Sequence, residues 1–170
     1  MEFNYKAIGY VHSPHQEAHG TPIQTGAAED VEAEIELLPE YRDGLMDLEG
    51  FSHIILLYHC HKAGKTELLR KPFMDNKKHG IFAIRAPSRP NPIGLSIVRL
   101  VAIKDHILRI KDVDILDGTP ILDIKPYVPE FDKKEVTKIG WLEKNVHKME
   151  EERDDGRFLH EQDGEDDRKE

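Results

Sequence analysis

Apolar and polar residues alternate through much of the chain up to Asp132. The segment VEAEIELL, which begins at Val31, shows the pattern most clearly, because its first three polar positions are all glutamates. A period of two is typical of a β-strand with one buried face and one solvated face. The pattern therefore predicts a half-buried strand in this segment.

Further segments of the same kind predict a mainly β protein. They are rich in β-branched and aromatic residues, which strands favour. The predicted strands are Tyr5–His12, Ser52–His61, Gly80–Ala86, Ile93–Ile103, His106–Ile115 and the segment ILDIKPY from Ile121. Asp105 between two of them predicts a tight hairpin. So many strands with so few helices favour a small, closed or nearly closed β-barrel.

Two segments predict helices outside the barrel. PEYRDGLMDLEG predicts a short peripheral helix that begins at Pro39 and ends near Gly50. GWLEKNVHKMEEER predicts a C-terminal helix that begins at Gly140. We therefore divide the chain into a β-barrel domain, residues 1–140, and a C-terminal helix with an acidic, partly disordered tail, residues 141–170.

The formal net charge of −9 is unevenly distributed. From Met149 to Glu170, eleven acidic side chains stand against four basic ones, a net charge of −7. The preceding residues carry twenty-two acidic and twenty basic side chains. We therefore expect the segment from Met149 to be solvated and to add almost no core. Because the acidity belongs to this segment, it does not exclude an RNA partner.

Composition limits the other classes of protein. The chain has no long apolar run that predicts a membrane span, and its first residues lack a signal-peptide pattern. A single cysteine, Cys60, excludes an internal disulfide framework and favours the cytoplasm. Neither a GxGxxG motif after a strand nor a GxxxxGK[ST] motif occurs. Any nucleotide-like cofactor must therefore be held outside a Rossmann fold or P-loop.

The segment RAPSRPNPIGLSIVRL, from Arg85, joins three prolines to a predicted strand. Each proline fixes its own φ and favours an extended conformation in the preceding residue. This segment, which we call the proline shelf (residues 85–92), is either a stiff turn between strands or a rigid support that presents Arg85 and Arg89.

Acidic residues are dense in DVDILDGTPILDIKPYVPEFD, from Asp112. Asp117 and Gly118 have turn chemistry, so Asp117 is either a turn residue or a functional carboxylate. Asp123 and Lys125 should share one strand face, where they can pair or flank a reacting group. Their spacing does not match a calcium loop, and His59 and His61 lack a third spaced ligand, so we predict no metal site.

One basic run lies between His61 and His79. It contains Lys71, Lys77 and Lys78 and leads directly to the proline shelf. The run is either a solvated loop or a contact for RNA phosphates, together with Arg89.

The segments FSHIILLYHCH, GIFAIRAPSRPNPIGLSIVRL and DILDGTPILDIKPYVP resemble, in this order, the motifs of the TsaA/YaeB-like family, also called TrmO. The resemblance implies a small β-barrel that works as a homodimer, with its cofactor near the interface. It also implies an S-adenosylmethionine-dependent methyltransferase that acts on N6 of threonylcarbamoyladenosine, next to the anticodon of tRNA. Many bacterial members carry a small extra C-terminal domain, where this sequence has the predicted helix and acidic tail.

The resemblance also implies which residues bind the cofactor. By motif they are Gln24, Thr25, Gly26, His61, Lys62, Arg85, Leu95, Asp114, Ile115, Leu116 and Asp117. For catalysis we expect Asp117 or Asp123 to accept the N6 proton, with Lys125 holding a carboxylate or the carbamoyl oxygen. This sequence departs from the family at Ile23, where arginine is usual, and at Ala86, where serine is usual.

Two other functions fit parts of the sequence. A non-catalytic S-adenosylmethionine-binding or regulatory module fits the acidic tail. An RNA-binding barrel without a cofactor fits the basic run but leaves the aspartate cluster without a role.

Overall fold

Six antiparallel strands close into a barrel in the computed structural model, which describes residues 1–159. The barrel strands are β1 (Gly9–His12), β2 (Glu32–Leu37), β3 (His53–His59), β6 (Ile93–Lys104), β7 (Ile107–Lys111) and β8 (Pro120–Pro126). Around the barrel they follow the order β1-β2-β7-β6-β3-β8, and β8 pairs with β1 to close it. A small two-stranded sheet, β4 (Leu69–Arg70) and β5 (His79–Gly80), stands outside. The predicted β-barrel is confirmed.

The apolar residues of the alternating pattern fill the barrel. In β2, Ala33, Ile35 and Leu37 are buried, while the three glutamates that alternate with them are exposed. Removing one such aliphatic side chain from water stabilises the fold by about 1.5–3 kcal/mol. The core contains Val11, Ile35, Ile54, Leu56, Val98, Leu108, Ile110, Val113, Ile115 and Ile121. At the β6–β7 turn, Asp105 adopts a φ of 58°, as the predicted hairpin requires.

The antiparallel order sends three long connections to one end of the barrel. They follow β1, β3 and β7, and they cover residues 13–31, 60–92 and 112–119. At the opposite end, residues 38–52 join β2 to β3 and a two-residue turn joins β6 to β7. The end with the three long loops, which we call the barrel mouth, therefore has enough chain to build a site.

The predicted strand Gly80–Ala86 is wrong beyond its first residue. Of the residues in this predicted strand, only Gly80 belongs to β5, and Ile81–Ala83 form a 3₁₀ helix. Ile81, Ile84 and Ala86 are buried in a second, smaller apolar cluster beside the barrel. The spacing of three between the two isoleucines fits this turn better than a strand, because strand residues three positions apart point to opposite faces.

The helical segments are shorter and tighter than the sequence predicts. Residues between Pro39 and Gly50 form two 3₁₀ helices, Pro39–Leu45 and Leu48–Gly50. The C-terminal helix is replaced by two more, Gly140–Lys144 and Val146–Glu150. Further 3₁₀ turns cover Thr25–Ala27 and Ile81–Ala83, and the one α-helix described within residues 1–159 is Pro129–Asp132. No helix in this part of the chain is long and apolar enough to cross a membrane.

The expectation that the chain from Met149 adds almost no core is wrong for the described residues. Phe158 is 2% exposed and packs with Ile81, Ile84 and Ala86. Its ring meets Phe73 edge to face, with 5.0 Å between the ring centroids. The acidic composition gives no sign that Phe158 is buried, because a single aromatic residue does not change the average polarity of the segment. The predicted tail beyond Leu159 lies outside the described residues.

Candidate functional site

A cavity of about 490 Å³ opens at the barrel mouth. Its size is within the range of roughly 300–1,000 Å³ that small-molecule sites have. The wall combines apolar residues, such as Ile115, with three basic residues, Lys62, Arg85 and Arg89, and two acidic residues, Asp114 and Asp154. A mainly apolar wall with a few charged groups suits a ligand that is part aromatic and part zwitterionic.

Tyr58 and Asp114 line the cavity and are linked through the buried Ser96 at the end of the barrel core. The Ser96 hydroxyl donates a hydrogen bond to Asp114 Oδ1 over 2.8 Å, and its oxygen lies 3.0 Å from the Tyr58 hydroxyl. Burial raises the pKa of Asp114, and burial with the nearby Asp114 charge raises the pKa of Tyr58. Asp114 is therefore a carboxylate whose charge the protein alone does not stabilise well.

Gly94 is required beside these linked side chains. It pairs with Tyr58 across β3 and β6, and a Cβ atom built on it would overlap the Tyr58 ring. The close approach of ring and backbone holds Tyr58 against Ser96. Cys60, the residue that follows the end of β3, also lines the cavity, and burial raises the pKa of its thiol to about 11.

Arg85 and Gln24 form the rim. The Arg85 guanidinium donates a hydrogen bond to Gln24 Oε1 over 2.8 Å, which joins the proline shelf to the β1–β2 loop. On another side, Lys62 donates to the Gln16 carbonyl, and His61 Nδ1 lies 3.3 Å from the Thr119 hydroxyl. Burial lowers the pKa of His61, with help from the Lys62 charge, so the imidazole favours its neutral form.

The proline shelf is tied down along its length. The Pro92 carbonyl accepts a hydrogen bond from Cys60 N, and the Arg89 guanidinium donates to the Ile84 carbonyl. Ser88 is fully buried and accepts from Arg70. The shelf is thus both a stiff turn and a support that points Arg85 and Arg89 at the cavity.

The structure brings together most of the residues predicted to bind a cofactor. Eight of them line the cavity: Gln24, His61, Lys62, Arg85, Leu95, Asp114, Ile115 and Leu116. Thr25 and Gly26 follow Gln24 in the 3₁₀ turn Thr25–Ala27 but are not in the cavity wall. Asp117 lies outside the wall as well.

Asp117 fixes the β7–β8 loop to the end of β1. Its Oδ1 accepts a hydrogen bond from Ser13 N, and its own N–H donates to the His15 carbonyl. Gly118 beside it has a φ of 72°, which glycine adopts without strain. The turn chemistry seen in the sequence is therefore present, and it positions Asp114 to Leu116 along the cavity.

Asp123 and Lys125 share the outer face of β8, as their spacing predicts. Their side chains form an ion pair of 2.7 Å. Asp123 pairs with Leu57, which in turn pairs with the cavity residue Leu95. Two strand spacings of ~4.8 Å put this ion pair about 10 Å from Leu95, so it lies beside the cavity and outside its wall.

The predicted RNA-binding lysines are exposed in the loop between β4 and β5. Lys71, Lys77 and Lys78 all face solvent, and no ion pair involves them within residues 1–159. Asp75 caps this loop and pairs with His79 over 3.0 Å, while Arg89, the fourth predicted residue, lies in the cavity wall. No group of three His, Cys, Asp or Glu residues in the described part of the chain is placed to hold a metal ion.

Sequence reasoning missed part of the cavity wall. Tyr58, Asp154 and Phe158 line it without having been predicted, as does Thr119. Tyr58 has a sequence signal, because it is an inward-facing aromatic residue opposite a strand glycine. Asp154 and Phe158 have none, since the acidic segment around them is typical of a solvated surface.

A model of the tRNA-methyltransferase O N-terminal domain matches residues 10–133. This chain belongs to the TrmO family. A probable S-adenosyl-L-methionine-binding protein of Pyrococcus abyssi is 63% identical over 155 residues, which cover 91% of this chain and 84% of that protein. A tRNA (adenine(37)-N6)-methyltransferase of Escherichia coli is 37% identical over 75% of this chain and 58% of its own length.

The fold matches solved TrmO structures. The crystal structure of TrmO from Pseudomonas aeruginosa superimposes with a TM-score of 0.70 at 37% identity, and the match covers 83% of this chain. It covers 63% of the Pseudomonas chain, so this protein spans less than two thirds of that relative.

We predict that Asp114→Asn stabilises the protein at neutral pH. Because burial raises the folded-state pKa of Asp114 above its ordinary value of 3.8, the folded protein holds the proton more tightly than the unfolded chain. Unfolding free energy should therefore fall as pH rises from about 4 through the folded-state pKa. Asparagine removes the charge but still accepts from Ser96. Urea unfolding of both proteins at pH 4, 5.5 and 7 measures the difference.

Equal pH slopes for the two proteins would contradict this prediction. A suitable control is Asp43→Asn, which neutralises an exposed aspartate at the opposite end of the barrel.

Proposed function

We propose that this protein is an S-adenosylmethionine-dependent methyltransferase that acts on N6 of threonylcarbamoyladenosine next to the anticodon of tRNA. The observation that carries the proposal is the convergence of eight motif residues on one cavity at the barrel mouth. Membership of the TrmO family and the names of the relatives support it. The N6 acceptor within threonylcarbamoyladenosine and a cytoplasmic location stay predictions.

The residues that line the cavity suit S-adenosylmethionine. Apolar residues such as Ile115 and Leu116 can cover an adenine ring, while Arg85 can hold a carboxylate. The buried Asp114 gains from a nearby cation, because a buried carboxylate without one is costly. When bound, S-adenosylmethionine supplies a methyl group already activated by its positively charged sulfur.

The chain's own residues then have to orient the acceptor and remove a proton. Positioning can lower the barrier of a two-reactant step by roughly 7–11 kcal/mol in the best cases, and the tethered proline shelf provides a rigid support for it. Asp117, Asp123 and Lys125 stay the predicted catalytic residues.

The experiment that tests the function is methyl transfer to tRNA. Purified protein with S-adenosylmethionine should methylate tRNA that carries threonylcarbamoyladenosine, and tRNA without this modification should remain unmethylated.

Arg85→Ala should weaken S-adenosylmethionine binding at least tenfold in calorimetry, because a hydrogen bond to a charged group is worth about 1.5–3 kcal/mol.

A matched control is Arg42→Ala, which removes an exposed arginine paired with Asp105 at the opposite end of the barrel. Wild-type affinity in Arg85→Ala with an intact fold would remove Arg85 from the cofactor site. Binding of S-adenosylmethionine without methyl transfer would favour the alternative, a non-catalytic or regulatory binding module. One observation favours this alternative: Asp117 and the Asp123–Lys125 pair lie outside the cavity wall.

For tRNA, we propose that Lys71, Lys77, Lys78 and Arg89 contact phosphates. The triple variant Lys71→Glu/Lys77→Glu/Lys78→Glu should weaken tRNA binding and leave S-adenosylmethionine binding unchanged. Each lost phosphate contact should make the log–log salt slope shallower by about 0.7–0.9. A filter-binding series at several salt concentrations measures both quantities.

The control for tRNA binding is Lys133→Glu/Lys134→Glu/Lys138→Glu, which makes the same charge change at exposed positions after the barrel. If both variants keep the wild-type slope, tRNA uses another surface.

We also propose that the protein is a homodimer that pairs through the outer face of β3 and β6. Ile93, Leu95 and Ile97 are 37–50% exposed on β6, and Leu57 and Ile55 lie opposite Leu95 and Ile97. Contiguous exposed apolar residues mark interaction sites. Leu95 belongs to this face and to the cavity wall, so a second copy here would lie next to the cofactor.

Ile97→Glu should therefore convert the dimer to a monomer, because a charge at the centre of an apolar interface is poorly solvated. Light scattering after size-exclusion chromatography measures the mass, and circular dichroism checks the fold. Val136→Glu, at a 72% exposed position away from this face, is the control. A wild-type protein that is already monomeric at micromolar concentration would overturn the proposal.

A further inference from the structure

Residues 153–159, which we call the C-terminal segment, cross the barrel mouth outside the matched domain. Asp154 exchanges two backbone hydrogen bonds with the β1–β2 loop: Gly20 N donates to its carbonyl over 2.7 Å, and its own N–H donates to the Thr21 carbonyl over 3.0 Å. At the other end, Gly64 N donates to the Phe158 carbonyl over 2.7 Å. The segment therefore joins the loop that carries Gln24 to the loop that carries His61 and Lys62.

Aromatic and cationic contacts anchor this crossing. Phe158 is buried in the second apolar cluster, and the Arg70 guanidinium lies 5.2 Å from its ring centroid. Arg157 stacks over Phe73 at 4.9 Å and donates to the Pro72 carbonyl over 2.9 Å. These contacts place the backbone of the segment firmly enough to hold a side chain in the cavity.

Asp154 is the charged side chain that the segment adds to the cavity wall. Its Oδ1 accepts a hydrogen bond from Gly156 N over 2.7 Å, while no hydrogen bond or ion pair within residues 1–159 uses Oδ2. Burial raises the pKa of this carboxyl, and the neighbouring Asp155 adds to the effect. A half-buried carboxylate with an available oxygen favours a cation in the adjacent space.

We propose that Asp154 is a ligand-binding residue, whose carboxylate contacts a positively charged group of S-adenosylmethionine, either the α-ammonium or the sulfonium. The proposal rests on the proposed function, because it takes the cavity to be the cofactor site. Phe158 acts as a positioning residue, since its burial fixes the segment that presents Asp154. The cofactor site then extends from the β1–β2 loop to residue 158, beyond the matched residues 10–133.

The variant that tests this is Asp154→Asn. Asparagine keeps an oxygen that accepts from Gly156, so the variant removes the charge and leaves the turn. Calorimetry with S-adenosylmethionine should show affinity roughly tenfold weaker, as expected for a lost charge-assisted hydrogen bond. Thermal unfolding without ligand should occur at the wild-type temperature or slightly above it, because the variant removes a charge that burial disfavours.

The matched control is Glu151→Gln, which removes one carboxylate from an exposed position just before the segment. It should bind S-adenosylmethionine as the wild type does. If Asp154→Asn itself unfolds at much lower temperature, Asp154→Ser replaces it, because the serine hydroxyl also accepts from Gly156.

A second titration uses S-adenosylhomocysteine, which keeps the ammonium and has a neutral sulfur. Equal weakening for both ligands assigns the contact to the ammonium, and weakening for S-adenosylmethionine alone assigns it to the sulfonium. Wild-type affinity of Asp154→Asn for both ligands would overturn the proposal. Failure of the wild-type protein to bind either ligand would instead overturn the proposed function.

Discussion

Closure of the sheet by the pairing of β8 with both β1 and β3 is the constraint on which the rest of the structure depends. In an antiparallel barrel of six strands, closure leaves no open edge, and every connection must leave from one end or the other. Here the three long connections leave from the same end. The residues that form the cavity are far apart in sequence, and only closure brings their loops together.

The inward-facing residues of the barrel change at the mouth from aliphatic side chains to polar or small ones, because the closed strands end there beside the cavity. Along β3, the inward positions run from Ile54 and Leu56 to Tyr58, and along β6 they run from Val98 through Ser96 to Gly94. The missing side chain of Gly94 gives room for the Tyr58 ring, and the Ser96 hydroxyl links that ring to Asp114. A fully apolar end would bury more area but would leave Asp114 without a hydrogen-bond donor.

Much of this architecture could be predicted from the sequence, because the period of two reports directly which strand face is buried. The buried face of β2 and the hairpin at Asp105 follow from local chemistry. Other elements depend on contacts between distant residues. The strand predicted at Gly80–Ala86 failed because Ile81 and Ile84 pack against Phe158, more than seventy positions away in the sequence. The resemblance to a family placed eight residues in the cavity, but it contained no information on a segment beyond the family's motifs.

The C-terminal segment shows how an acidic stretch can still be ordered on a protein that is proposed to bind RNA. Both arginines of the segment have partners within the protein. Arg157 forms an ion pair with Asp155 and donates a hydrogen bond to the Pro72 carbonyl, and Arg153 donates hydrogen bonds to two carbonyls of the preceding turn. The Arg157–Asp155 pair neutralises part of the local charge, and Phe158 and the backbone hydrogen bonds hold the segment in place. The segment then separates two kinds of charge. Its Asp154 carboxylate faces a cavity suited to a cationic cofactor, while Lys71, Lys77 and Lys78 stay in solvent on the adjacent loop.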